Sequence, residues 1–170
     1  DMYRFGTMLA LLTGLRVGEI CALKWGDISI ENRTVSVERT MQRIRVTDTD
    51  SNRKTEISVS DPKSFSSRRI VPLSRFALDL CKKYAMSDKN AYVLTGRADR
   101  FTEPRALQYH MKKYADECGL NGLHFHSLRH SFATRCIEVG FEIKSLSEVL
   151  GHASPQITLE RYVHSSLALK

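Results

Sequence analysis

Along residues 2–13, MYRFGTMLALLT, apolar side chains recur at helical spacing and Gly14 follows the last of them. This predicts an amphipathic helix closed by a left-handed glycine cap. A second, shorter helix in RVGEICALKW turns Ile20, Ala22 and Leu23 inward. The period then changes to that of a strand. In DISIENRTVSVE, two alternating runs flank Asn32 and predict a hairpin. QRIRV and EISVS alternate again around the polar stretch TDTDSNRKT, and SRRIVPL supplies one more short strand. Helical spacing returns beyond it. Ser74 caps a predicted helix through Tyr84, and Thr102 caps another running to Cys118, with Pro104 in its first turn and Gly119 just beyond. GLHFHSLRHSFATR opens a third helix that ends at Gly140, residues 145–150 form a brief one closed by Gly151, and Ser154-Pro155 starts the last. The pattern predicts one α+β domain over residues 1–170, mainly α-helical, with a small three-stranded antiparallel sheet inserted near the N-terminus.

Composition narrows the function classes. A chain of 170 residues is long enough to bury a core without staples. Cys21, Cys81, Cys118 and Cys136 are far apart, form no CxxC, and read as reduced core thiols, which places the protein in the cytoplasm. The longest apolar stretch, Met8 to Leu12, is far too short to span a bilayer, and no signal peptide is expected. No GxGxxG or P-loop pattern appears, which argues against a nucleotide-fuelled enzyme. The net charge is +7, and basic residues recur in pairs such as Arg68-Arg69 and Lys112-Lys113. Such pairs suit a polyanion partner, although a charge run is more often a solvated face.

The densest chemistry lies in the segment HFHSLRH. His126 and His130 are four apart and share a helix face, as zinc-binding histidines do. Ser127, however, stands where a zinc protease motif needs Glu, and the neighbouring arginines repel a cation. No metal is therefore expected. A helical histidine usually packs and hydrogen-bonds, and His130 alone fits that reading. Arg129, three residues after His126, instead sets a five-donor fork beside an imidazole, a pairing suited to phosphate oxygens and a transferable proton. A phosphate site predicts further groups, and the chain supplies them. Arg16 lies at a helix junction, Lys63 in the turn of DPKSFSSRR, His152 after Gly151 in a break between helices, and Tyr162 in the final helix. Taken singly, each has a plainer role: a cap, a solvated turn lysine, a loop histidine, a half-buried aromatic.

Taken together and in order, TGLRVGEICALKW, DPKSFSSRRIVPL, HFHSLRHSFATR and LSEVLGHASPQITLERYVH resemble the tyrosine recombinase (phage integrase) family, over nearly the whole chain. The resemblance implies a catalytic set of Arg16, Lys63, His126, Arg129, His152 and Tyr162, with Tyr162 as nucleophile, and Glu19 and His130 supporting it. Ser127 departs from the Asp common at that position. The implied reaction exchanges a DNA phosphodiester for a 3′-phosphotyrosine and back, which conserves bond energy and needs no cofactor. A phenol is mostly protonated at neutral pH, so such a nucleophile needs a base or a cationic site. The two arginines hold the phosphate and offset its growing charge. Lys63 is the candidate acid for the leaving 5′ oxygen, His126 the candidate base, and His152 a candidate donor to the phosphate.

The same resemblance implies a site-specific recombinase that integrates and excises a mobile element, with a housekeeping chromosome-dimer resolvase and a non-catalytic DNA-binding module as the competing readings. The partner is double-stranded DNA at attachment or recombination sites. Arg68, Arg69, Arg97, Arg100, Lys112 and Lys113 are candidate backbone contacts. The expected assembly is a homotetramer on DNA, or a monomer for this domain alone, with a directionality factor as accessory and a location at the bacterial nucleoid. The chain begins at Asp1 rather than at a methionine, which suggests a fragment, and the resemblance implies core-binding and arm-binding domains before it in a longer protein.

Overall fold

The structure is a computed structural model that describes residues 1–46, 55–60 and 68–163. Lys63 and the polar stretch between the two alternating runs at 47–54 lie outside the described residues. Helix α1 spans Met2–Thr13, with the Asp1 carboxylate accepting from the Tyr3 N–H and Gly14 at φ 68° as its cap. Helix α2, Val17–Ala22, starts at once: Glu19 reaches back to the Arg16 N–H at 2.8 Å, half of a capping box. Helix α3 covers Arg75–Tyr84, where the Ser74 hydroxyl accepts from the Ala77 N–H at 3.3 Å as its sequence predicts. Helices α4, α5 and α6 span Pro104–Glu117, Phe125–Glu138 and Ile143–Leu150. The N-cap of α4 is Glu103 rather than Thr102, which is buried, and α6 begins two residues before Ser145. Helix α7, Pro155–Thr158, runs into a π-helical turn, Leu159–Val163, that carries Tyr162.

Among the described residues, five strands form two sheets. β1 (Ile28–Ser29), β2 (Thr34–Val37) and β5 (Arg69–Pro72) make the expected three-stranded antiparallel sheet, in the order β1-β2-β5. β3 (Thr40–Arg45) and β4 (Thr55–Ser60) form a separate two-stranded hairpin. Two features divert β3 from β2. Arg39 forms a salt bridge with Asp27 between the two strands, and β3 packs on α2 so closely that a Cβ on Gly18 would lie 2.4 Å from the Met41 carbonyl. The β2 edge is thereby left to β5, in the register Val35 to Val71.

The main core joins α1 to the sheet through Phe5, Leu9, Ile20, Trp25, Val35 and Val71. A smaller cluster of Ala133, Leu146, Leu150 and Tyr162 binds the last helices to α5. Cys21 and Cys81 are buried, and desolvation pushes their thiols up to about 12 and about 11. Cys118 is exposed, so it is not a core thiol; the α4 helix ends at that residue and turns it outward. Among the described residues no helix is long and apolar enough to cross a membrane.

Geometry favours glycine at position 151 on two counts. It sits at φ 65°, and a Cβ there would lie 3.0 Å from Arg69 Nη1. Gly151→Ala is expected to cost roughly 1–2 kcal/mol from the left-handed backbone alone. Thermal melting should then show a midpoint lowered by roughly 2–8 °C. An unchanged midpoint would mean that the turn relaxes freely.

Candidate active site

Burying an arginine is costly unless its charge and all its donors find partners. Arg129 is 2% exposed, in the middle of α5. Its Nη1 donates to the Gly14 carbonyl at 2.8 Å, and its Nη2 donates to the Leu150 carbonyl and lies 3.1 Å from His152 Nε2. Those carbonyls end α1 and α6, where the helix macrodipole is negative and C=O groups lack intrahelical donors. Both helices close on glycines with left-handed backbone, Gly14 and Gly151, which turn their chain ends toward the guanidinium. Burial, followed by the Arg16 charge, lowers the Arg129 pKa to about 10, so the side chain remains a cation at neutral pH.

Arg16 is the other cation. Its Nη1 donates to Glu19 Oε1 at 2.9 Å, and its Nη2 donates to the Gly151 carbonyl at 3.3 Å. Glu19 is 3% exposed and also receives both terminal nitrogens of Arg69 at 2.9 Å. Burial pushes its carboxyl up, but the hydrogen bonds and charge of Arg69, then of Arg16, outweigh that and hold it below the usual range. Arg16, His126 and Arg129 line one cavity of about 270 Å³ with Leu15, Val17, Gln108 and Phe125. Its cationic wall suits an anion. Among the described residues no group of three His, Cys, Asp or Glu side chains is placed to hold a metal ion.

The histidines form a chain toward Tyr162. The His126 and His130 rings meet edge to face at 4.7 Å, and His130 meets the Tyr162 ring at 5.1 Å. His152 lies nearly parallel to that ring, 6.1 Å away with 8° between planes. Because Arg129 is always the donor, His152 Nε2 accepts, and the proton on Nδ1 is given to the Thr158 hydroxyl at 2.8 Å. In this arrangement both ring nitrogens of His152 are engaged within the protein. Tyr162 is 1% exposed.

Desolvation first, then the charges of Arg129, Arg16 and Arg161, lowers His152 to about 4. A histidine buried neutral contributes stability that is present above its unfolded pKa of 6.5 and is lost as pH falls toward the folded value of about 4. The thermal midpoint should therefore drop across that window, and less steeply in His152→Gln. Equal slopes for the two proteins would contradict the assignment. Desolvation also lowers His126, followed by the His130, Arg129, Arg161 and Arg16 charges, and lowers His130, followed by Arg161 and Arg129.

Of the residues named from sequence, the structure thus brings Arg16, Glu19, His126, Arg129, His130, His152 and Tyr162 together. Arg69 is corrected: its side chain is 5% exposed and bound to Glu19, so it is no surface contact for DNA. Arg68, Arg97, Arg100, Lys112 and Lys113 are exposed, and Arg97 is paired with Asp99 at 2.8 Å. Sequence reasoning missed Thr158, whose hydroxyl fixes the His152 tautomer, and Arg161, whose charge bears on all three histidines. The position of Arg161 beside Tyr162 was the available signal for the latter.

This mainly helical domain with its small sheets sets two arginines and His126 in the wall of one cavity, with His130, His152 and Tyr162 in ring contact beside them. The model of the phage integrase family matches residues 2–168, and the chain belongs to that family, the tyrosine recombinases, enzymes that cleave and rejoin DNA through a tyrosine intermediate. It is 31% identical over 172 residues to a XerC-like tyrosine recombinase of Caldanaerobacter subterraneus subsp. tengcongensis, covering 92% of this chain and 44% of that protein. It is 30% identical to the transposase from transposon Tn916 of Enterococcus faecalis, covering 94% of this chain and 41% of that one. The fold is that of the XerA recombinase crystal structure, with a TM-score of 0.70 at 22% identity over 99% of this chain and 56% of that one. The Tn1549 transposon integrase in complex with transposon right end DNA has a TM-score of 0.69 at 22% identity, covering 96% of this chain and 56% of that one. The chain therefore spans about half the length of the relatives it matches.

Proposed function

We propose that this chain is the catalytic domain of a site-specific DNA recombinase that cleaves and rejoins strands through a 3′-phosphotyrosine on Tyr162. The observation that carries the reading is the shared cavity of Arg16, His126 and Arg129, joined to Tyr162 through His152. In the proposed reaction the scissile phosphate lies between the two guanidiniums. The Tyr162 oxygen forms a bond to phosphorus as the bond to the 5′ oxygen breaks, and the enzyme–DNA ester conserves the energy for rejoining. His126, held neutral first by desolvation and then by its cationic neighbours, accepts the tyrosine proton. Lys63 gives a proton to the departing 5′ oxygen. With both nitrogens engaged, His152 orients Arg129, and it donates to the phosphate only after exchanging those partners. Because Tyr162 is buried, the reaction also requires the turn Leu159–Val163 to open toward the cavity when DNA binds.

The proposed role is integration and excision of a mobile element, which the Tn916 transposase relative supports. The competing reading is chromosome-dimer resolution, and relatives named as tyrosine recombinase XerC stand at comparable identity. Cleavage assays on duplexes carrying each kind of site separate the two. A tetramer on two paired sites and an accessory directionality factor are proposed on the family resemblance. DNA affinity would come mainly from phosphate contacts and fall steeply with salt. The reading is tested by incubating the chain with nicked duplexes and looking for a denaturant-resistant protein–DNA adduct. Salt-sensitive binding without any adduct would favour the non-catalytic module.

A further inference from the structure

Arg69 opens β5, six residues after Lys63, and its side chain is 5% exposed. It does not line the cavity of Arg16, His126 and Arg129. Its fork binds both oxygens of the Glu19 carboxylate at 2.9 Å, and its Nε donates to the Val149 carbonyl at 2.6 Å. The same carboxylate holds Arg16 by its backbone N–H at 2.8 Å and its Nη1 at 2.9 Å. Arg16 in turn donates to the Gly151 carbonyl, next to His152. The contacts close into a ring that runs from Arg69 to Glu19, Arg16, the turn at Val149–Gly151 and back. The backbone of that turn lies against the guanidinium, close enough that a Cβ on Gly151 would sit 3.0 Å from Arg69 Nη1 and press the side chain aside. A planar fork can bridge a carboxylate and a carbonyl together, and a lysine ammonium cannot reproduce that geometry.

We propose that Arg69 is a positioning residue that holds Arg16 and the turn bearing His152 in one rigid frame, setting the rate of phosphoryl transfer without contributing to DNA affinity. The proposal rests on the recombinase reading above. Among the described residues, the charged groups that face Glu19 are Arg16 at the N-cap of α2, Arg69 from β5 and, through its charge, Arg129 from α5. All are cations. With Arg69 weakened, the desolvation that pushes the Glu19 carboxyl up is opposed less strongly, so the carboxyl takes up its proton at higher pH and releases Arg16.

The test compares this chain with Arg69→Lys for DNA affinity and for single-turnover cleavage of a nicked duplex, from mildly acidic to mildly basic pH. The expected result is unchanged affinity, cleavage slowed by ~10–100-fold as for other residues that orient a site through a neighbour, and an acidic limb of the rate profile displaced to higher pH. Cleavage at the unmodified rate overturns the proposal, as does a loss of equal size at every pH. If Arg69→Lys does not fold, the neutral pair Arg69→Met with Glu19→Gln carries the test: slowed cleavage with intact affinity is expected, and cleavage at the unmodified rate overturns it. Absence of adduct from the unmodified chain is a different failure, because it removes the recombinase reading on which the proposal rests.

Discussion

Tyr162→Phe is expected to bind DNA with the affinity of the unmodified chain and to form no covalent adduct. The substitution deletes one oxygen from a residue that is 1% exposed. The ring remains, and with it the parallel contact to His152 and the edge contact to His130. Stability should therefore change by no more than about 1–2 kcal/mol, the scale of one hydrogen-bonding group. DNA binding is expected to rest on exposed cations and the two site arginines, all of which the substitution leaves in place. Chemistry is expected to stop, because the variant lacks the oxygen that would bond to phosphorus. Binding assays and denaturing gels on the same samples check both halves. An adduct retained by the variant would remove Tyr162 from the nucleophile role.

The second large effect concerns Arg129. Arg129→Lys keeps the charge but cannot reach the Gly14 carbonyl, the Leu150 carbonyl and His152 Nε2 together. A preorganised donor aimed at developing phosphate charge is worth a factor of ~10²–10³ in rate, and single-turnover cleavage should fall by that amount. Arg129→Ala adds a structural cost, since each buried carbonyl left without its donor costs roughly 1–3 kcal/mol. The alanine variant should thus melt earlier as well as react more slowly. A lysine variant that cleaves at the unmodified rate would show that charge alone suffices and that the fork geometry does not matter.

The helices were legible in the sequence because periodicity and glycine caps are local signals. Gly14 and Gly151 end α1 and α6 as the pattern predicts, and Ser74 caps α3. The arginines, histidines and tyrosine of the site were legible through their order in the family motifs. What escaped was set by partners distant in sequence. Arg68 and Arg69 read as equivalent members of a basic pair, yet only the fold brings Arg69 to Glu19, fifty residues earlier, and buries it there. The separation of the β3–β4 hairpin escaped for a similar reason: alternation marks a strand but does not name its neighbour, and the contact between Gly18 and β3 decides that. Thr158 gives no signal in sequence, because its importance comes from the tautomer it imposes on His152.

The proposed chemistry is defined by which atom carries the DNA. The most direct measurement is to digest the adduct formed by the unmodified chain and determine by mass spectrometry the residue and the nucleotide end that are joined. A nucleotide linked through its 3′ phosphate to Tyr162 is expected, with a free 5′ hydroxyl on the released strand. Attachment through a 5′ phosphate, or to any residue other than Tyr162, would contradict it.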